Sequence, residues 1–413
     1  MKNAPQHWVS LDSMMQESDE GRLFVDPGNA TVRDMSDVRI LSFRPDTVRQ
    51  LYRGKLKADV LDLFHEPGLV TFMGKRWHAG RISRDSGYQY KLQNADLGIL
   101  LLIKSFHANK ETEGNHLKIE LSPQFLHSYS EQEVQQRIDE LAQGVLENWC
   151  HGGCAVHIAA DVQGWEPPSD FEARLHCRSK KVRTYNGLDE WDIDSHAVRY
   201  GRGESFLFGA PNQTQLAVYN KTDEARAGDK LDYWRNVWNQ SGEYDPEEAV
   251  YRIEIRYHHN VVNQFARATV DHETGELFDL TSYEGLYPHL TGLWGYGFRS
   301  FRYLARPGWF DPFWTILTRL RMPEHSDTVE YRRGYKSADG FSGKNIELLL
   351  GNFVSCCARW NLSKNKSWQA LQDMPFFDMI REHYANKGKG ERELRNHMRK
   401  LLEERWVRYG RAV

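Results

Sequence analysis

A tyrosine and a lysine two residues apart stand in the run Leu216-Ala217-Val218-Tyr219-Asn220-Lys221. Read as a strand, it sends Leu216 and Val218 to one side and Ala217, Tyr219 and Lys221 to the other, so phenol and ammonium share a face. A phenol of pKa about 10 is a poor nucleophile at neutral pH, and a nearby cation favours its phenolate. Tyr-x-Lys is also an ordinary pattern on a solvated strand face, so its chemistry depends on what stands beside it.

Three further segments alternate in the same way and place ionisable groups opposite an apolar face. His116–Leu121 presents Lys118 and Glu120, Ala155–Asp161 presents His157 and Asp161, and Tyr251–Tyr257 presents Arg252, Glu254 and Arg256. Each alone is expected to be a solvated sheet face. Together, Glu120, His157, Asp161 and Glu254 offer an oxygen-rich ligand set for Mg²⁺, with the histidine widening the choice to Mn²⁺. A metal beside a tyrosine, flanked by Arg252 and Arg256, suits phosphodiester transesterification, in which Tyr219 attacks in line and the 3′-hydroxyl leaves. Ionising the phenol at neutral pH costs roughly 4 kcal/mol, which the metal or Lys221 could largely offset.

The elements that would position these groups follow from the pattern around them. Residues 1–36 form a polar N-terminal arm with a turn signal at Asp26-Pro27-Gly28-Asn29. Val48–Phe64 reads as a helix (Leu51, Leu56, Val60, Leu61, Phe64), and Leu69–Met73 and Leu97–Phe106 read as strands. Ser130 and Glu133 form a capping box for a helix running to about Trp149, and Ser169 and Glu172 a second one. After about residue 270 come Trp- and Tyr-rich helical segments, a loop at Asp339–Gly343 and a helix at Asn345–Trp360. The expected domains are 1–36, 37–270 and a mainly helical module at 271–413, with no repeat of fixed period.

The chain has 413 residues, 40% hydrophobic and 27% charged, enough for two or three soluble domains. A net charge of −3 means that any nucleic-acid contact must come from local patches. Two patches qualify: Arg178, Lys180, Lys181 and Arg183, and the stretch Lys387–Val413, with nine Lys or Arg against four Glu and an apolar stripe of Leu394, Met398, Leu401 and Leu402. The longest apolar run, Leu97–Ile103, is too short to span a membrane, and a cytoplasmic protein with reduced thiols is expected. Cys150, His151, Cys154, His176 and Cys177 cluster in sequence, but their spacing matches no standard zinc pattern.

Four ordered segments also carry a resemblance: HLKIELSP (116–123), VHIAADVQG (156–164), SFLFGAPNQTQLAVYNKTDE (205–224) and YRIEIRYHHNVV (251–262). They resemble the motifs of the Rep_trans family of rolling-circle plasmid replication initiators, phage replication factors and relaxases, over roughly residues 100 to 265. The resemblance implies an α+β fold, HUH-endonuclease-like, with an antiparallel sheet and helices on one face. It also implies that Tyr219 is the nicking residue, left joined to a DNA 5′-phosphate, with Glu120, Asp161 and Glu254 at the acidic positions. The chain departs from the family pattern at His157, where an Asp is usual, and at Ala217, where an Arg is. The implied partners are origin DNA with an exposed single strand, a host helicase and a second copy in a homodimer, without a membrane. Tyr185 and Tyr200 are candidates for a second tyrosine. The alternatives are a relaxase of a conjugative element and a non-catalytic, sequence-specific DNA-binding protein.

Overall fold

The structure is a computed structural model that describes residues 16–17, 22–26, 31–83, 87–106, 108, 112–177, 182–184, 205–210, 212–271, 274–323, 329–334, 343–386 and 390–411. The expected turn at 27–29, the loop at 339–342, Tyr185, Tyr200 and Lys387 lie outside these residues. So do Arg178, Lys180 and Lys181 of the first basic patch; of Arg183 only the strand backbone is described.

The fold is α+β. Strands β1 (Gln16–Glu17), β2 (Leu23–Asp26) and β3 (Thr31–Asp34) form a small antiparallel sheet. The chain then runs through β4 (Arg39–Leu56), β5 (Gly68–Phe72), β6 (Lys75–Arg81), β7 (Tyr88–Asn94), β8 (Ile99–Ser105), β9 (Gly114–Leu121) and β10 (Leu146–Gln163). With β12 (Val182–Thr184), β13 (Phe206–Phe208), β14 (Thr214–Asn220) and β15 (Tyr251–Tyr257) these make one antiparallel sheet of order β12-β13-β14-β15-β10-β4-β9-β8-β7-β6-β5. It consists of two meanders joined at the centre by β4 and β10, each 18 residues long. A third sheet pairs β11 (Leu175–Cys177) with β16 (Phe301–Arg306) and β17 (Trp309–Phe310).

Helices α1 (Pro123–Leu126), α2 (Glu131–Val145), α3 (Phe171–Arg174), α4 (Lys221–Ala227), α5 (Leu231–Asn239), α6 (His259–Ala266), α7 (Tyr283–Leu286), α8 (Leu290–Ser300) and α9 (Pro312–Thr318) complete the first unit. The apolar face of the central strands, including Val156, Ile158, Val218, Ile253 and Ile255, shares one core with α2, α6, α8 and α9. The Ser130 capping box opens α2 as expected, and Val134, Ile138, Leu141 and Val145 are buried. That helix stops at Val145, because Leu146 turns extended, so Trp149 lies on β10 instead. The second expected capping box is absent: α3 begins after Asp170, which makes no side-chain cap.

The helix expected over Val48–Phe64 is a strand to Leu56 followed by a 3₁₀ turn at Asp59–Phe64. Its period of two is masked because Gln50 takes an inward position between Val48 and Tyr52. Fully buried, Gln50 donates to the backbone carbonyls of Leu51, Gly153 and Thr281, which satisfies its amide nitrogen in the core, while its Oε1 has no partner among the described residues.

The chain divides into Met1–Tyr335 and Lys336–Val413. The division falls at 335 rather than near 270, because Leu280 to Met322 feed the first core and β16 pairs with β11 across the expected boundary. The N-terminal arm is likewise tied in, through the fully buried Phe24 and a 2.7 Å ion pair between Arg33 and Asp311. The second unit packs α10 (Gly343–Arg359), α11 (Lys364–Gln372), α12 (Phe377–Asn386) and α13 (Glu391–Arg408) around their own core. The α13 stripe of Leu394, Met398 and Leu402 is buried within that core. Residues 336–413 hold fifteen Lys or Arg against nine Asp or Glu, a net +6, so the first unit carries −9 of the total −3. Among the described residues no helix is long and apolar enough to cross a membrane.

Candidate functional site

Gly209 ends β13 with φ +107, and a Cβ there would meet the Thr214 carbonyl at 2.4 Å, so only glycine can reverse the chain this tightly into β14. The register that follows sets the site. Across β14, β15 and β10, Ala217 lies opposite Glu254 and Glu254 opposite Ala159, while Tyr219 lies opposite Arg252 and Arg252 opposite Asp161. Gln215, Arg256 and His157 make the next row. With antiparallel alternation, these side chains share the face opposite the apolar core. Small alanines on both flanks of Glu254 leave its carboxylate room for larger neighbours.

A fourth contributor comes from β4. The β4–β10 ladder skips a residue between the pairs Thr47–His157 and Pro45–Ile158, so Asp46 is the extra residue of a bulge. Bulges re-aim side chains, and this one brings Asp46 to the cluster. One ligand atom each from Asp46, His157 and Glu254 lies within 4.8 Å of the others. Two carboxylates and an imidazole suit Mg²⁺ or Mn²⁺.

Glu254, 1% exposed, is the hub. Its Oε1 faces His157 Nδ1 at 2.8 Å and accepts from Arg256 Nε at 3.0 Å. Its Oε2 accepts from Arg256 Nη2 at 3.1 Å and from the Tyr219 hydroxyl at 3.3 Å. Burial opposes its charge, but Arg256 and then His157 outweigh burial and hold the carboxyl well below the usual range. Burial also depresses His157, which leaves a neutral imidazole at pH 7, the form that binds metals. Asp46 stays ionised because the Arg252 charge outweighs its desolvation.

The half-buried Tyr219 phenol is driven well above 10, first by burial and then by the Glu254 charge, with Arg252 opposing. Lys221 is not beside it on the strand. It is the first residue of α4, pairs with Glu224, and lies 4.5 Å over the Trp234 ring and 5.9 Å from the Tyr219 ring. The expected activating lysine is thus turned towards a different carboxylate.

Two expected metal ligands fall outside the cluster. Asp161 is taken by Arg252, through bonds of 2.6 and 2.8 Å, and by the Trp238 indole at 2.8 Å. Glu120 sits 3.4 Å from both Arg49 and Lys118. Nor do the expected DNA-contacting arginines reach outward. Arg252, 1% exposed, is held by Asp161, Asp46 and the Trp234 face at 4.2 Å, and Arg256 by Glu254. Among the described residues the Cys and His run forms no metal cluster; His151 pairs with Asp139 at 3.0 Å, and all five cysteines are free. Asp46 went unseen in the sequence because a bulge has no periodic signature, and Arg44-Pro45-Asp46-Thr47 looks like a turn.

No family model matches the chain. Over 412 residues, covering 96% of each protein, it is 45% identical to "Uncharacterized protein ORF430" of Pseudomonas phage Pf1. Identity at that level along nearly the full length of both chains places them together: the chain belongs to the family of this phage protein.

Proposed function

We propose that the protein is a replication initiator that nicks and rejoins one DNA strand at an origin through a phosphotyrosine at Tyr219. The observation that carries this reading is the sharing of Glu254, which accepts the Tyr219 hydroxyl and also belongs to the Asp46–His157–Glu254 cluster. The Rep_trans-like motifs support it, as does a phage-encoded relative. Asp46, His157 and Glu254 would hold Mg²⁺ or Mn²⁺. A divalent ion there supplies positive charge beside the phosphoryl group, favouring ionisation of the phenol and offsetting charge that develops in transfer.

In the reaction the Tyr219 oxygen bonds to phosphorus as the bond to the 3′ oxygen breaks. The phenolic proton passes towards Glu254 Oε2, its hydrogen-bond partner, and the departing 3′ oxygen is protonated from solvent. One phosphodiester replaces another, so the nick can be resealed by the reverse step. At rest the phenol is held protonated, since its pKa is raised while that of Glu254 is lowered. The reading includes a cytoplasmic location and an origin bound partly as single strand, with the basic second unit as a further DNA contact and a host helicase and a second copy as partners.

The test incubates the protein with supercoiled DNA of its own replicon and Mg²⁺ or Mn²⁺, and compares wild type with Tyr219→Phe on a denaturing gel. The expected result is a nicked circle with protein on the 5′ end from wild type alone. Binding without nicking under either metal would overturn the reading in favour of a DNA-binding protein on the same fold. That second reading is favoured by the protonated, Glu254-bonded phenol.

A further inference from the structure

On the same face of the sheet, beside His157, lies an open cavity of about 470 Å³. Arg49 and Arg53 of β4, Lys118 of β9, and His258 and His259 at the start of α6 line it. Ala155, two residues from His157 along β10, is part of its wall. Arg49 belongs to both places, since its Nη1 is 3.4 Å from His157 Nε2. Cavity and cluster therefore form one continuous surface.

The charge of the lining runs against that of its surroundings. The first unit carries a net −9, yet the described lining of this cavity has three permanent cations and two histidines against Glu113. The one carboxylate of Glu120, 3.4 Å from both Arg49 and Lys118, offsets a single charge of that pair and leaves Arg53 unopposed by it. Basic groups gathered in a recess of an acidic unit draw a polyanion to that place and discourage it elsewhere. The volume suits about one or two nucleotide-sized groups, and a recess of this size admits a single strand more readily than a duplex. Charge on a groove that tracks a backbone is the usual means of holding single strands.

We propose that this cavity holds single-stranded DNA adjoining the phosphate that Tyr219 attacks, with Arg49, Arg53 and Lys118 on backbone phosphates. The proposal rests on the nicking reading for its account of which segment is held, but the binding itself can be measured without nicking.

The experiment uses the full chain carrying Tyr219→Phe, without divalent metal, and follows fluorescence anisotropy of a labelled, mixed-sequence single-stranded oligonucleotide over a range of salt concentrations. Arg53 is exposed, so Arg53→Glu should leave the fold intact. It should weaken binding about tenfold or more and lower the slope of log affinity against log salt by about one. Arg76→Glu, exposed on the outlying strand β6, should do neither. Unchanged binding by Arg53→Glu overturns the proposal, as does an equal loss from Arg76→Glu. A duplex of the same sequence that binds as tightly and depends equally on Arg53 also overturns it. The two readings fail separately. A wild-type protein that nicks while Arg53→Glu binds normally sinks the cavity alone; one that binds through Arg53 but never nicks sinks the transesterase alone.

Discussion

Two ends of one sheet face use the same kinds of residue for different ends. At the first, Asp161 accepts from both Arg252 and Trp238, and the Trp234 ring covers Arg252. At the second, Glu254, His157 and Asp46 converge beside a tyrosine hydroxyl and a basic cavity. At the first end both oxygens of Asp161 are held by internal donors, and Arg252 spans from Asp161 to Asp46, so this end fixes the sheet and touches the second only through Asp46. The second keeps three metal-binding groups side by side and places Arg49 between them and open space. A buried carboxylate on a sheet is thus a scaffold or a site according to what covers it.

The largest effect expected is at the covered end. Asp161→Asn leaves the buried Arg252 guanidinium with only Asp46 as a charged partner, and breaking a buried pair in this way costs about 3–5 kcal/mol. Thermal unfolding should show a drop of several degrees in Tm, while any rise in Tm caused by Mn²⁺ should survive. Loss of the metal response together with the stability would merge the two ends and break the distinction.

The open end should answer to metal. Mn²⁺ at a hundred times its dissociation constant stabilises a single site by about 2.7 kcal/mol. That rise should appear in wild type and in Glu120→Gln, and should vanish in Asp46→Asn and His157→Gln, since the last two remove ligands of the cluster. Acidity sharpens the test. Burial holds His157 below its ordinary 6.5, so the unfolded chain takes up this proton first. Stability from the neutral imidazole is complete above about 6.5 and falls as the pH drops towards the folded value, and the metal response should follow the same course. A response already lost at about pH 6.5 would mean that the ligand is an exposed histidine rather than His157.

Much of this comparison was legible in the sequence, but not which carboxylate did what. Strict alternation located β9, β10, β14 and β15, and so put Glu120, His157, Asp161, Tyr219 and Glu254 on one face. Which of them were neutralised depended on partners distant along the chain. The Trp238 that bonds Asp161 comes from 77 residues away on α5. Asp46 was hidden by the bulge that aims it, and β4 by its buried Gln50. The end of the first unit was hidden because β16 joins β11 from beyond a helical stretch, a non-local pairing that leaves no local mark.

The smallest effect should come from the residue that the sequence ranked beside Tyr219. Lys221 is 5% exposed, pairs with Glu224 and rests over Trp234, which it shares with Arg252. It therefore belongs to the covered end, and the cation that most opposes the raised pKa of Tyr219 is Arg252 instead. Removing the ammonium while keeping its apolar stem, as in Lys221→Met, leaves Glu224 half-buried and within reach of water. The cost in stability should be about 1 kcal/mol, and nicking should slow by less than about tenfold, equivalent to some 1.4 kcal/mol of barrier. Tyr219→Phe, by contrast, removes the attacking atom. Were Lys221→Met to abolish the covalent adduct as fully as Tyr219→Phe, with Tm unchanged, the ammonium would have to leave Glu224 during the reaction. The covered end would then be a working part of the site in a second arrangement of α4.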